Sequence, residues 1–282
     1  MCNSTRDHCE VDLFQGLAYS PLFLLGFLVN AAALRAFIAK RDSWTDTHIY
    51  MFNLVLADSA LILFLPFRMY DAFFCLPKTT MCTFLMNIHF INMYASILTT
   101  TAISFQRYLA IRFPIHARSW TRKKEAAFAV CVFLWGLLVT FCVVFQKENY
   151  PENLWTCYER CKDKPLKLKV ILSLILPGFL IPLVIVVFCS SQIIYILLKV
   201  DEKSEKKKSI ISIVMANMIV FIVCYTPIHI GFFVNFLYTA PPNWQNLYIP
   251  VHKYLLVSEW IAATNCCFDS ISYYFLLKGF YS

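Results

Sequence analysis

The sequence predicts an all-α membrane protein, a bundle of seven transmembrane helices whose N-terminus lies outside the cell. Hydrophobic residues make up 59% of the 282-residue chain and charged residues only 15%, against roughly 45–50% and 25% in soluble domains. Such a composition leaves too few polar residues to cover a soluble globule, and the excess runs along the whole chain. It excludes an ordinary soluble enzyme, a disordered chain and a coiled coil.

Seven stretches are long and apolar enough to cross a bilayer core, which takes about 20 helical residues. They lack the strict alternation of membrane β-barrel strands, and no internal repeat suggests a transporter built of inverted halves. The connections are short, so residues 1–282 form one domain, with an outer segment at 1–16 and a final segment at 277–282. The predicted spans are 17–38, 48–73, 81–110, 126–145, 168–198, 210–238 and 248–277.

Charged residues set the orientation of these spans. One side of the membrane carries fifteen basic against six acidic residues, while the other carries nine of each. Because basic residues stay in the cytoplasm, the N-terminus is outside and the C-terminus is inside. The net charge of +8 then reflects topology and contact with anionic membrane lipids. The chain has no basic soluble face, so nucleic-acid binding is not expected.

The outer side carries two further marks. Asn3 begins an Asn-Ser-Thr glycosylation acceptor, which is usable only when the N-terminus is outside. Six of the twelve cysteines also fall on this side, where the compartment permits disulfides. We therefore expect a glycosylated outer surface with disulfides among Cys2, Cys9, Cys75, Cys82, Cys157 and Cys161.

Polar side chains interrupt four of the apolar spans, at Asn30, Asp58, Ser96 and Asp269, the last of which lies near Asn265. A charge inside a span costs roughly 2.5–3.5 kcal/mol on insertion scales, so each needs a partner. These groups could share water or one cation. Alternatively they form a hydrogen-bonded packing network, and the sequence leaves both interpretations open.

Prolines interrupt the second, fifth and sixth spans, at Pro66, Pro182 and Pro227. Each removes a backbone hydrogen bond and clashes with the preceding turn. The sixth span is therefore expected to have a hinge at Pro227, surrounded by an aromatic cluster of Phe221, Tyr225 and His229.

Taken in order, these landmarks resemble the rhodopsin-like (class A) G-protein-coupled receptors over essentially the whole chain. Within the class, the chain is similar to the branch of orphan receptors 35 and 55 and the lysophosphatidic acid receptors, with receptor 35 ranked slightly first. The segments typical of this branch are 44–51, 187–190, 227–231 and 265–269. The landmarks of the class are Gly26, Asn30, the Leu-Val-Leu-Ala-Asp run ending at Asp58, Cys82, Arg107, Tyr108, Trp135, Pro182, the segment 221–227, Asp269 and Tyr273.

The resemblance implies a plasma-membrane receptor and not an enzyme. Agonist binding would pivot the sixth helix and open a cytoplasmic cleft for a heterotrimeric G protein. It also implies a disulfide from Cys82 to Cys157, with Cys161 as the competing partner, and a site for an allosteric sodium ion, with no other cofactor. The implied sodium ligands are Asp58, Ser96, Asn265 and Asp269, and the implied switch residues are Gln106, Arg107, Tyr108, Phe221, Tyr225, Pro227 and Tyr273.

Gln106 departs from the pattern of the class, which usually has an acid before the arginine. A carboxylate would hold Arg107 through a charge-assisted hydrogen bond, whereas Gln106 offers only a neutral one. We therefore hypothesise that the resting state is held less firmly and that ligand-free signalling is high. The alternative is an atypical or scavenging receptor that couples weakly to G proteins.

Basic groups in the outer half predict an anionic ligand, either lysophospholipid-like or a small acidic metabolite. Guanidinium and ammonium groups bind phosphate and carboxylate, so we expect the ligand head near Arg68, with help from a cluster of Arg160 and lysines before the fifth span. The alternative pairs Arg68 with Glu259 or Asp71. His89 replaces the aspartate of amine receptors, so an amine lacks its usual counter-ion there. The predicted ligand residues are Arg68, His89, Met93, Tyr94, Lys167, His229, Lys253 and Glu259, with Phe90 and Phe232 beside the tail.

Overall fold

The structure is a computed structural model that describes residues 12–39, 41–114, 124–145, 150–200, 204–241 and 249–279. It confirms the seven-helix bundle, and every helix end lies within five residues of its predicted position. The helices are α1 (Leu13–Ala39), α2 (Asp46–Phe74), α3 (Thr80–Arg112), α4 (Lys124–Phe145), α5 (Leu168–Lys199), α6 (Glu205–Leu237) and α7 (Pro250–Gly279).

Helix α7 carries several polar residues. In the part of the chain that the structure describes, the other six helices are long and apolar enough to cross a membrane by composition alone. Within α7, Glu259, Asn265 and Asp269 instead bond to side chains inside the bundle. These polar side chains of α7 therefore make their contacts in the interior of the bundle.

Helix α3 lies at the centre of the bundle, where it contacts α2, α4 and α5. Around it, α1 packs on α2 and α7, and α6 packs on α5 and α7. One large apolar cluster joins α3, α5 and α6 around Ile97, Phe179 and Phe221. A second joins α1 to α4 around Phe37 and Leu54. Burial of apolar side chains thus fixes the positions of the helices that carry the polar groups.

Helix α5 contains a wide turn. It runs as an α-helix over Leu168–Ile175, as a π-helix over Leu176–Leu180 and again as an α-helix over Ile181–Lys199. Pro182 follows this turn and has no N–H to donate to the preceding backbone. The irregularity expected at Pro182 therefore lies one turn earlier, whereas Pro227 is accommodated within a single continuous α6.

The loop between α4 and α5 folds back over the outer end of the bundle. A short 3-10 helix at Pro151–Asn153 leads into a tight turn, closed by an antiparallel bridge between Leu154 and Arg160. Cys82 is bonded to Cys157, which ties this turn to the start of α3. Cys75 and Cys161 each take part in a disulfide as well, so Cys161 does not compete for Cys82. The disulfide from Cys82 to Cys157 that the resemblance implies is therefore present. The turn also places Glu159 and Arg160 next to the bundle.

Candidate ligand-binding site and switch residues

A cleft of about 660 Å³ opens at the outer end of the bundle between α3, α6, α7 and the loop before α5. Its upper wall is basic and belongs to the loop, its lower part is apolar, and its α7 wall is polar. The lining includes Arg160, Lys162 and Lys164 from the loop, Met86, Phe90, Leu166, Ile171 and Phe232 below, and His252 and Glu259 from α7. The cleft therefore brings basic, apolar and carboxylate side chains together around one opening.

Arg68 is buried, with 3% of its side chain exposed, and it bonds to other side chains of the bundle. Its Nη2 lies 2.7 Å from Glu259 Oε2, and its Nε donates to Gln15 Oε1 over 3.1 Å. The guanidinium also lies 4.6 Å from the ring centre of Tyr19 and 5.1 Å from that of Tyr158, within cation–π range. The structure thus contains the pairing with Glu259 that the alternative interpretation foresaw.

Asp71, the other partner considered for Arg68, has a different role. Its Oδ1 accepts the backbone N–H of Leu76 over 2.8 Å, just after α2 ends. The end residue Cys75 is the one non-glycine residue described with a positive φ, at 47°. Asp71 therefore closes the outer end of α2.

A chain of polar contacts extends from Arg68 to the loop. Gln15 Nε2 donates to Glu159 Oε1 over 3.0 Å, and Glu159 Oε2 lies 2.9 Å from His252 Nε2. Burial raises the pKa of Glu159, but the hydrogen bond with His252 and the charges of Lys162 and Lys253 outweigh it, so the net pKa is lowered. Glu159 is therefore a carboxylate whose two oxygens are both engaged.

Below the cleft lies an aromatic cluster. Phe90 stacks with Phe232 at 5.9 Å between ring centres. The Tyr94 hydroxyl lies 3.0 Å from His229 Nε2, and the ring of His229 stacks on Phe179 at 4.1 Å. Tyr94 and His229 thus connect α3 to α6 on the outer side of Pro227.

The predicted ligand residues occupy different depths. Of the eight, only Glu259 lines the cleft itself. Arg68 lies behind Glu259, Met93 joins the buried cluster with Tyr94 and His229, and His89 is half-buried. Lys167 is exposed at the start of α5, and Lys253 lies 3.5 Å from Asp12 Oδ2.

Three of the implied sodium ligands, Asp58, Asn265 and Asp269, make hydrogen bonds at mid-bundle. Asn265 Nδ2 donates to Asp269 Oδ2 over 2.6 Å, and Asn92 Nδ2 donates to Asp58 Oδ1 over 3.2 Å. Asp58 Oδ2 and Ser96 Oγ are both buried and make no hydrogen bond to the described residues. These two orphaned oxygens suit a small cation, because hard cations prefer oxygen ligands.

At the cytoplasmic end, Gln106 bonds to a carboxylate of another helix. Gln106 Nε2 donates to Asp46 Oδ2 at the first turn of α2, while Gln106 Oε1 is buried without a partner among the described residues. Next to it, Arg107 lines an inner cleft of about 640 Å³, together with Phe221 and Tyr225. Tyr108 packs edge-on against Phe188 of α5. The side chain of Tyr273 and the acceptor Asn3 lie outside the described residues.

Sequence reasoning missed five of these polar partners. Asn92 was detectable, because it lies one helical turn before Ser96 on the same face. The others, Gln15, Glu159, His252 and Asp46, gave no local signal, because their partners are distant in sequence: the Gln15–Glu159 contact joins residues 144 positions apart.

Together the fold and these sites define a seven-helix receptor of the plasma membrane, and not an enzyme. The family model of the 7 transmembrane receptor (rhodopsin family) matches residues 29–273, so the chain belongs to the rhodopsin family of seven-transmembrane receptors.

Three relatives illustrate the branch. The chain is 31% identical to G-protein coupled receptor 55 of Mus musculus, over 99% of this chain and 93% of that one. It is 33% identical to G-protein coupled receptor 35 of Mus musculus, over 99% and 90%. It is 30% identical to lysophosphatidic acid receptor 6 of Gallus gallus, over 96% and 92%. These matches confirm the branch indicated by the sequence.

Proposed function

We propose that this protein is a G-protein-coupled receptor for an anionic amphiphile, either a lysophospholipid-like acid or a small acidic metabolite. The observation that carries the proposal is the outer cleft, which joins a basic loop wall to an apolar lower part. The relatives named as lysophosphatidic acid receptors support a lipid with a charged head.

The loop cations are the first groups that an anionic head meets. Arg160 Nη2 donates to the backbone carbonyl of Lys164, and Lys164 Nζ donates to that of Glu152; both carbonyls are neutral acceptors. Phosphate or carboxylate can replace those neutral acceptors with charge-assisted bonds, which are roughly twice as strong. Arg68 is a second cation, which the head reaches only when Glu259 moves aside.

Signalling follows from a shift between two conformations. An agonist favours the active state only by the difference between its affinities for the two states. The bond from Tyr94 to His229 connects the ligand region to α6 above the Pro227 hinge. Movement of α6 there widens the inner cleft beside Arg107, where a G-protein α subunit docks. A sodium ion held by Asp58 and Ser96 supplies positive charge between the buried carboxylates and favours the resting state.

The test uses purified receptor with purified heterotrimeric G proteins in lipid nanodiscs. Lysophosphatidic acid and a panel of small carboxylates are added, and nucleotide exchange on the G protein is measured. We expect at least one anion to accelerate exchange, and we expect Arg160→Ala with Lys164→Ala to raise the half-maximal concentration at least tenfold. Exposed Lys199→Ala, on the cytoplasmic side, is the matched control. A panel without any effect would overturn the proposal.

Gln106 favours a second candidate, an atypical or scavenging receptor. The Gln106 amide bonds to Asp46 of α2, and its neutral side chain cannot offer Arg107 of α3 a charge-assisted hydrogen bond. In the same assay, a scavenger would bind the anion without accelerating exchange, while a receptor with high basal activity would drive exchange without ligand.

A further inference from the structure

The outer cleft presents opposite charges on its two walls. The loop wall carries Arg160, Lys162 and Lys164, and the α7 wall carries Glu259 with His252 at its edge. The proposed anionic head accounts for the first wall only. The second wall contains a carboxylate for which an anion offers no partner.

Glu259 is the carboxylate that has one oxygen available to accept a hydrogen bond from a ligand. Its Oε2 is bound by Arg68 at 2.7 Å, whereas its Oε1 has no hydrogen-bond partner among the described residues, and 16% of the side chain is exposed. Glu159 differs, because Gln15 and His252 occupy both of its oxygens. Any head group that fills the cleft therefore removes water from Glu259 Oε1.

Removing that water without replacing it is unfavourable. A buried acceptor left without a donor loses its hydrogen bonds to water, and the loss is larger when the group is charged. A ligand that carries only negative charge meets this penalty and also lies near a carboxylate. A ligand with an N–H donor, above all a cationic one, forms a charge-assisted bond instead.

We propose that the ligand head is zwitterionic, with a phosphate or carboxylate on the loop cations and an ammonium group on Glu259 Oε1. This inference rests on the proposed function and specifies its ligand class. The apolar tail lies below the head, beside the stacked rings of Phe90 and Phe232. His89 does not oppose this arrangement, because the ammonium binds at α7 and not at the position of His89 on α3.

The test compares three lysophospholipids with the same acyl chain, each below its micellar concentration. Lysophosphatidylethanolamine offers an N–H-bearing ammonium, lysophosphatidylcholine a quaternary ammonium without N–H, and lysophosphatidylglycerol hydroxyls only. The apparent Kd is measured from the ligand-induced rise in Tm of the purified receptor in nanodiscs. This readout does not require a G protein. We expect the ethanolamine form to bind at least tenfold more tightly than the other two, which corresponds to about 1.4 kcal/mol.

Variants locate the effect. Glu259→Gln should abolish the preference for the ethanolamine form over the glycerol form. Because Arg68 then loses its partner, Glu259→Asp is made in parallel, and this variant should fold and keep the preference. Glu205→Gln, an exposed cytoplasmic change of equal charge, should alter neither affinity.

The outcomes separate the two proposals. Equal affinity for the ethanolamine and glycerol forms in the unmodified receptor would overturn the zwitterionic head and leave the anionic-lipid proposal standing. A preference that survives Glu259→Gln would also overturn it. If none of the three lipids, nor lysophosphatidic acid, raised the Tm, the anionic-lipid receptor itself would be wrong.

Discussion

At the scale of single residues, Arg68 shows how the protein stabilises a charge at membrane depth. An ion pair, a neutral amide and two aromatic rings surround its guanidinium. Breaking a buried pair by removing one member is strongly destabilising, because the remaining charge has no partner, whereas removing both members together costs much less.

This difference gives a prediction for Arg68 and Glu259. Arg68→Gln alone should destabilise the receptor by about 3–5 kcal/mol, seen as a fall in the Tm of the purified protein. Arg68→Gln combined with Glu259→Gln should recover most of that loss, because two amides can bond to each other. Losses that simply add would show that the ion pair is not what holds these side chains.

Glu159 gives a pH prediction. Its pKa in the folded protein lies below that of an unfolded glutamate, because His252 and nearby lysines outweigh the effect of burial. Its stabilising contribution is therefore complete above about pH 4.3 and is lost as the pH falls through the lower folded pKa. The Tm of Glu159→Gln should fall less steeply below about pH 4 than that of the unmodified protein. Exposed Glu152→Gln should follow the unmodified curve.

At the scale of the elements, the contact between α2 and α3 changes how Gln106 is understood. Gln106 of α3 donates to the carboxylate of Asp46 in the first turn of α2, where a negative charge also interacts favourably with the helix dipole. The inner ends of the two helices are therefore joined by a hydrogen bond to a carboxylate.

We expect Gln106→Asp to lower ligand-free signalling, because the new carboxylate holds Arg107 more firmly. The effect should be larger when Asp46→Asn is added, since two facing carboxylates repel each other and an amide accepts the swapped contact. Nucleotide exchange without ligand measures both variants at equal surface expression. Unchanged basal exchange in both would rule out a role for Gln106 in holding the resting state.

The π turn of α5 depends on a glycine. A Cβ at Gly178 would lie 2.7 Å from Tyr94 Cε1, closer than side-chain contacts allow. Gly178→Ala must therefore displace Tyr94, and overpacking of this kind costs about 1–3 kcal/mol. Gly136→Ala in α4 is the matched control, because nothing lies within 4 Å of its added Cβ. We expect a lower Tm for the first variant and an equal or higher Tm for the second.

At the scale of the whole molecule, the mid-bundle polar groups connect the ligand region to the cytoplasmic side. Asn265 and Asp269 line the inner cleft beside Arg107, and Asp58 lies across from them on α2. An ion that binds one conformation more tightly shifts the whole population, and this coupling is reciprocal with the agonist.

Sodium should therefore weaken agonist binding. Replacing potassium with sodium at constant ionic strength is expected to raise the agonist Kd by a factor of about 5–150, the usual range for coupled sites. Asp58→Asn should remove this dependence, because the amide loses the negative charge that holds the cation. An agonist Kd unaffected by sodium in the unmodified receptor would exclude a resting-state sodium site.

The sequence alone was enough to predict the architecture, because spans of about 20 apolar residues and the positions of basic residues carry most of that information. The Cys82–Cys157 bridge was implied by the family resemblance. The cleft was not predictable in the same way. Arg68 was recognisable as a charge in a span, but its partner Glu259 lies 191 positions away. Glu159 is recognisable as part of the site only when the loop has folded back over the bundle.

The same distance of 191 positions has a consequence for biosynthesis. A ribosome that adds 5–20 residues per second needs roughly 10–40 s to synthesise the chain from Arg68 to Glu259. Arg68 is therefore made long before its salt-bridge partner. Gln15 and Tyr19 of α1 are already made by then, and both contact the guanidinium. The first two helices can therefore enter the bilayer as a hairpin in which Arg68 already has two contacts. The ion pair with Glu259 forms when α7 is inserted.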